Sequence, residues 1–305
     1  MGYGGPRVGI GEGALFVIGV LVLSGLVTSL LERAAVRHDP GPATAAPLAQ
    51  AVDPPNADRW LYPAGGVMAA LGVAFALVVI PFGPERVGRD LGIGAFYLIV
   101  VLDFVVLGVA LAGWGANTPG AVDAYYRIVA QLVSYIIPLG LAYVGAIMMA
   151  RSLSTVAIVE AQAALPFIVL QPLGFALYLV TGLMQAYRSP FAEPFANAVQ
   201  GGVLGVVGGW KALFWRLSLA GLLFVVAAMG AVLYLGGWHG PWLPGPVWML
   251  LKTFGLMALM LSLGRTVKPL STAQMLALSW RVLTPVGLAN VLLVGALILL
   301  GIGPS

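Results

Sequence analysis

The chain is 305 residues long, 60% hydrophobic and only 9% charged, and it contains no cysteine. The missing thiols exclude disulfides, thiolate metal sites, cysteine-ligated iron–sulfur clusters and thiol nucleophiles. Its formal charge of +4 matters less than where the charges fall, and it gives no reason to expect a nucleic-acid partner.

A helix needs about 20 apolar residues to cross the hydrocarbon, and eight runs of that order stand at 14–32, 62–82, 91–113, 128–150, 163–185, 213–236, 246–264 and 281–301. Lipid offers no water to hydrogen-bond the backbone, so spanning segments are helices or a closed barrel. Runs such as Gly92–Ala112 are apolar without the alternation of barrel strands. The expected fold class is therefore all-α, a polytopic membrane bundle of about eight transmembrane helices. One integral membrane domain over 1–305 is expected, with a short cytoplasmic loop at 33–61 and another at 186–212, because the connections leave no room for a soluble domain.

In chain order, Met1–Gly13 is Gly-rich with one Arg and the run after it is long enough to span, so no cleaved signal peptide is expected. Glu32 closes span one. Span three holds Asp103, the only deep carboxylate. An ionised Asp at a helix centre costs about 2.5–3.5 kcal/mol on insertion scales. That points either to a proton or polar-network role or to a neutral, locally hydrogen-bonded acid. In span four Arg127, Gln131, Ser134 and Tyr135 recur at helical spacing and line a cavity, or else snorkel and bond between helices.

Pro138, Pro166 and Pro172 are expected to kink spans four and five. Glycines 201, 202, 205, 208 and 209 fit either close helix approach or a flexible loop. His38 and His239 read as polar loop residues, and no metal site is expected.

Loops after the odd-numbered spans carry ten basic residues, Arg33, Arg37, Arg59, Arg127, Arg188, Lys211, Arg216, Arg265, Lys268 and Arg281. The opposite side carries four, Arg7, Arg86, Arg89 and Arg151, with Lys252 just inside span seven. By the positive-inside rule the odd loops are cytoplasmic and both termini lie on the far side.

Short signatures recur through the chain: Leu31-Glu32-Arg33, Ala57-Asp58-Arg59, Ile80-Pro81-Phe82-Gly83-Pro84, Asp90-Leu91-Gly92-Ile93, Gly113-Trp114, Arg127 and Ser134-Tyr135. Arg188-Ser189-Pro190-Phe191 with Pro194, Leu235-Gly236-Gly237-Trp238, Pro246-Val247-Trp248, Leu251-Lys252, Arg265-Thr266, Trp280 and Pro285 follow. In this order they resemble the H-type membrane subunit of the bacterial NADH–quinone oxidoreductase, also called subunit 1 of respiratory complex I, from about residue 30 onward.

The resemblance implies an eight-helix subunit of a proton-translocating enzyme in the bacterial cytoplasmic (inner) membrane. Such a subunit joins the redox arm to the membrane arm and contributes to the quinone chamber. Its partners would be quinone-site subunits of the redox arm, small and antiporter-like membrane subunits, and the lipid bilayer. Quinone would be substrate at the interface, while iron–sulfur clusters and flavin belong to partner subunits and no cofactor or catalytic residue to this chain. Glu32, Arg33, Arg37, Asp58 and Arg59 would lie at the quinone chamber. Asp103, Arg127, Tyr135, Arg188 and Glu193 would mark the polar path.

The sequence also departs from the family. Segment 37–52 is short and Pro/Ala-rich, keeping only Pro47-Leu48-Ala49 of the loop at the quinone entrance. Ile136, Val207 and Ala220 stand where carboxylates are expected, as do Gln185, Ala192, Phe195, Asn197 and Val199; Asp103 replaces a Glu. The resemblance thus carries fold and assembly further than proton conduction. A non-catalytic membrane anchor is the alternative, and a free-standing transporter a more distant one because no half-to-half similarity is seen.

Overall fold

The computed structural model describes residues 18–20, 22–30, 56–83, 87–192 and 209–303. Among the described residues there are helices and no strand. Six helices are long and apolar enough to cross a membrane, and two shorter apolar helices accompany them. The protein is an integral membrane helical bundle.

The short first helix is α1 (Ile18–Leu30). It is followed by α2 (Leu61–Val79), α3 (Gly94–Gly115), α4 (Pro119–Ala150), α5 (Thr155–Glu160), α6 (Phe167–Leu170), α7 (Pro172–Gln185), α8 (Gly209–Tyr234) and α9 (Gly245–Thr266). The last helix runs as α10 (Thr272–Leu278), a π-helical turn at Ser279–Leu283, and α11 (Thr284–Leu299).

The sequence expectation needs three corrections. The fourth helix begins at Pro119, nine residues before the apolar run, so Asp123 and Arg127 lie on the helix and not in a loop. Arg281, Lys211 and Arg216 are helical too, since the last helix begins at Thr272 and α8 at Gly209. The fifth span is two pieces broken at Gln171, because proline disfavours helical backbone in the residue before it and Pro172 opens α7. Glu32, Arg33, Arg37, His38, Glu193 and Val207 lie outside the described residues, as do the glycines from 201 to 208.

α8 is the axis. From Leu222 to Tyr234 nearly every side chain is buried, as expected of a helix apolar on all faces. α2, α7 and α9 pack around it, and α4 runs beside α3, α7 and α11. The tightest pair is α2 with α3. A β-carbon placed on Gly65 would stand 2.7 Å from Ala112 N, and one on Gly108 would stand 2.6 Å from Gly65 O. Small residues at four-residue spacing let the backbones touch where lipid supplies no hydrophobic drive between helices.

Alternating helix directions gather the loops into two layers. At one end Asp58 N–H donates to Gly115 O at 2.7 Å, Ser189 Oγ to Gly264 O at 2.7 Å, and Leu270 N–H to Pro190 O at 2.9 Å. Arg59, Arg188 and Lys268 lie in this layer. At the opposite end Thr155 Oγ1 donates to Val79 O at 3.1 Å, and Gln162 uses both ends of its amide. Its Nε2 donates to Ile158 O and Val232 O, while its Oε1 accepts from Phe167 and Gly236 N–H. Lys252 Nζ spends its three donors on the carbonyls of Leu235, Gly237 and His239, at 2.6, 3.0 and 2.7 Å. That clamp fixes the turn between α8 and α9.

Candidate polar site around Asp103

Asp103 stands midway along α3, half-buried, and its Oδ1 is buried without a hydrogen bond. Three fully buried tyrosines lie within electrostatic reach of it: Tyr135 and Tyr143 on α4, and Tyr187 just past α7. The hydroxyl of Tyr135 makes no hydrogen bond to protein. A carboxyl in a medium of low dielectric is costly to ionise, and nearby phenols add hydroxyl groups that both donate and accept.

Local backbone chemistry builds this site. Pro138 has no N–H, so the Ser134 carbonyl one turn earlier loses its helical partner. Ser279 Oγ, from the π turn of the last helix, donates to that carbonyl instead and ties the two helices together. Ser134 Oγ itself turns back to Ala130 O at 2.7 Å.

The end of α7 is more unusual. Tyr187 N–H bonds to Met184 O and Arg188 N–H to Leu183 O, the pattern of a Schellman cap. The capping position usually belongs to glycine. Here Tyr187 holds it at φ +52°, a left-handed backbone that costs a non-glycine residue roughly 1–2 kcal/mol. The strained tyrosine aims its ring inward, and the next residue, Arg188, is buried at 8% exposure.

α7 has only 14 residues, and its end packs against α4. Gln131 Nε2 on α4 reaches Met184 O at 2.6 Å, three turns from the start of α4. Gln185 is buried beside it with neither amide atom bonded to protein. The result is a buried polar chamber with one carboxyl, several phenols, two amides and the loop that carries Arg188. It can exchange a proton. It presents no nucleophile activated by a base, and no three His, Asp or Glu among the described residues stand close enough to hold a metal ion.

The other sequence-predicted residues fall elsewhere. Arg127 pairs with Asp123 at 2.8 Å one turn away on α4, and it stands two turns, about 12 Å, from Tyr135. Asp58 and Arg59 sit in the loop layer that precedes α2. Asp58 Oδ1 accepts from the N–H groups of Trp60 and Leu61, both at 2.8 Å. Those two bonds, Leu61 first, hold its carboxyl below the ordinary value of 3.8. Arg59 is exposed, with its guanidinium 5.9 Å from the centre of the Trp60 ring. Ile136, where the family's acid was expected, faces outward, while Ala220 is buried.

Sequence reasoning singled out Asp103 and Tyr135 but missed Tyr143 and Tyr187, because hydropathy counts a tyrosine as apolar. The available signal was the run Gln185-Ala186-Tyr187-Arg188 at the end of an apolar stretch, with no glycine to stop the helix.

The comparisons with known proteins agree with one another. The NADH dehydrogenase family model matches residues 48–295. The chain is 36% identical over 253 residues to the H-type subunit of NADH-quinone oxidoreductase from Syntrophotalea carbinolica, covering 80% of this chain and 77% of that protein. It is 35% identical over 259 residues to an H-type subunit of the same enzyme from Geobacter metallireducens, covering 81% and 78%. Among solved structures, a chain of the membrane-bound sulfane sulfur reductase, an archaeal respiratory membrane complex, superposes with a TM-score of 0.80. At 18% identity, over 92% of this chain and 98% of that one, it shows the shared fold. The two loop layers, the small-residue helix pair and the buried chamber at the end of a shortened fifth span thus belong to a protein of the NADH dehydrogenase family, the family of the H-type subunit of NADH-quinone oxidoreductase.

Proposed function

We propose that this chain is a membrane subunit of a complex-I-like, proton-translocating NADH:quinone oxidoreductase in the bacterial cytoplasmic membrane, with no catalytic activity of its own. The loop layer rich in Arg and Lys faces the cytoplasm and docks the redox arm, and the termini lie on the opposite side. Quinone is reduced at that interface, with electrons from iron–sulfur clusters and flavin held by partner subunits. The other contacts are with small and antiporter-like membrane subunits.

The observation that carries this reading is the chamber itself. A mid-membrane carboxyl is costly, and here it stands within electrostatic reach of Tyr135, Tyr143 and Tyr187. Such a placement suits a group that takes and releases a proton as charge changes at the loop layer. In Asp103→Asn the shape is kept and the exchangeable proton removed. Assembly should survive while proton translocation per electron falls, measured in proteoliposomes with the whole complex. Normal pumping would leave Asp103 structural.

One observation favours a second reading, a non-catalytic anchor. The expected acid positions are outward-facing at Ile136 and apolar at Ala220, so only Asp103 among the described residues remains deep in the bundle. Under that reading Asp103→Asn would leave both quinone reduction and pumping unchanged.

A further inference from the structure

A second polar cluster lies on the other side of the bundle, where the fifth span breaks. Gln171 and Asn290, the latter on α11, are both fully buried, and none of their four amide oxygen and nitrogen atoms bonds to protein. Their heads converge. A β-carbon placed on Gly145 would stand 2.6 Å from Asn290 Nδ2 and 2.8 Å from Gln171 Oε1. One on Gly174 would stand 2.9 Å from the same Nδ2, 3.1 Å from Asn290 Oδ1 and 3.1 Å from Tyr234 Oη. Two glycines on separate helices therefore keep side-chain volume away from one pair of amides.

A buried amide left without partners costs about 1–3 kcal/mol for each unsatisfied group, and buried polar groups are nearly always bonded to protein or to ordered water. A reciprocal bond between Gln171 and Asn290 would occupy one donor and one acceptor on each and leave the others unmet. The side chains that meet here are neutral, so a bare cation would enter without a countercharge and lose more hydration than two amides return. Water, which both donates and accepts, matches the set.

Tyrosines lead from this point back toward Asp103. Tyr234 and Tyr178 lie 5.8 Å apart by ring centres, and Tyr178 and Tyr143 lie 5.9 Å apart. The hydroxyl of Tyr234 donates to Ala142 O at 2.8 Å, and that of Tyr178 to Val226 O at 2.6 Å. Each therefore keeps its lone pairs for a further donor.

We propose that Gln171 and Asn290 hold ordered water inside the bundle, and that Tyr234, Tyr178 and Tyr143 extend this hydrated seam to the Asp103 chamber. The seam's part in proton transfer rests on the function proposed above; its hydration does not. Radiolytic hydroxyl labelling of the intact complex reads this directly, because radicals form from bound water and modify the side chains that touch it. Tyr234 should be labelled well above Phe224, which is equally buried but lies in apolar surroundings.

Asn290→Leu should bring Tyr234 down to the level of Phe224. Wild-type Tyr234 as protected as Phe224 would overturn the proposal whether or not any variant assembles, and so would labelling unchanged in an assembled Asn290→Leu complex. A hydrated seam with normal pumping in Asp103→Asn would retain this inference while removing the proton-path reading.

Discussion

At Asp58 a single carboxylate oxygen receives two backbone N–H groups at the start of α2, while the residue's own N–H bonds to the end of α3. The bonds favour the charged form and lower its pKa. The stabilisation is therefore fully present above the ordinary value of 3.8 and is lost as pH falls through the lowered value in the folded protein. Protection of the amides of residues 60–64 against hydrogen exchange, taken relative to the intrinsic rate at each pH, should fall on acidification in that window. Asp58→Asn retains an acceptor and should flatten the pH dependence, whereas a profile unchanged in the variant would mean that Asp58 is not the group responsible. The neighbouring Arg59 has no such backbone duty. Replacing Arg33 and Arg59 together by Ala should leave assembly intact and raise the quinone concentration needed for half-maximal reduction in the whole complex. Unchanged kinetics would reduce both residues to anchoring at the membrane surface.

Among the helices, α2 and α3 approach too closely to accept added volume. Gly65→Ala would drive a methyl group to 2.7 Å from Ala112 N, where backbone cannot yield as a flexible side chain would. An overpacking cost of about 1–3 kcal/mol is expected, visible as a lower melting temperature of the purified complex. Gly255→Ala, where nothing stands within 4 Å, should show no such loss. The same helices show what sequence reading captures. Long apolar runs located α2, α3, α8 and α9 to within a few residues because lipid selects them by length and hydropathy. The beginnings of α4 and the last helix were missed because amphipathic turns such as 119–127 and 272–280 remain helical without being apolar. The break at Gln171 was legible only as a proline, Pro172, and its buried amide not at all, since its convergence with Asn290 depends on a residue 119 positions away. Asp103 was legible because it is alone in its span. Its tyrosine neighbours were not, because α3, α4 and the cap of α7 meet only in the folded bundle.

For the molecule as a whole, large apolar side chains remain outward on α1, α2, α3 and α11, including Leu292 and Leu299, and lipid or partner helices must cover them. Purified in mild detergent, the chain should therefore appear with redox-arm or antiporter-like subunits; recovery as a well-behaved monomer without them would count against the proposed assembly. Trp60 and Trp114 at the basic end and Trp242 at the other are exposed, as the aromatic belts of a membrane protein are. Between these belts the bundle is not uniformly thick as an insulator. α7 has 14 residues, about 21 Å of helix, against about 30 Å for the hydrocarbon, and buried polar side chains flank it, Gln171 at one end and Gln185 and Arg188 at the other. A membrane voltage falls mainly across the least conductive layer, so the electric field must be steeper beside α7 than at the lipid-facing rim. A charge displaced by a few ångströms near Asp103 would consequently do more work against the membrane potential than the same step elsewhere in the chain.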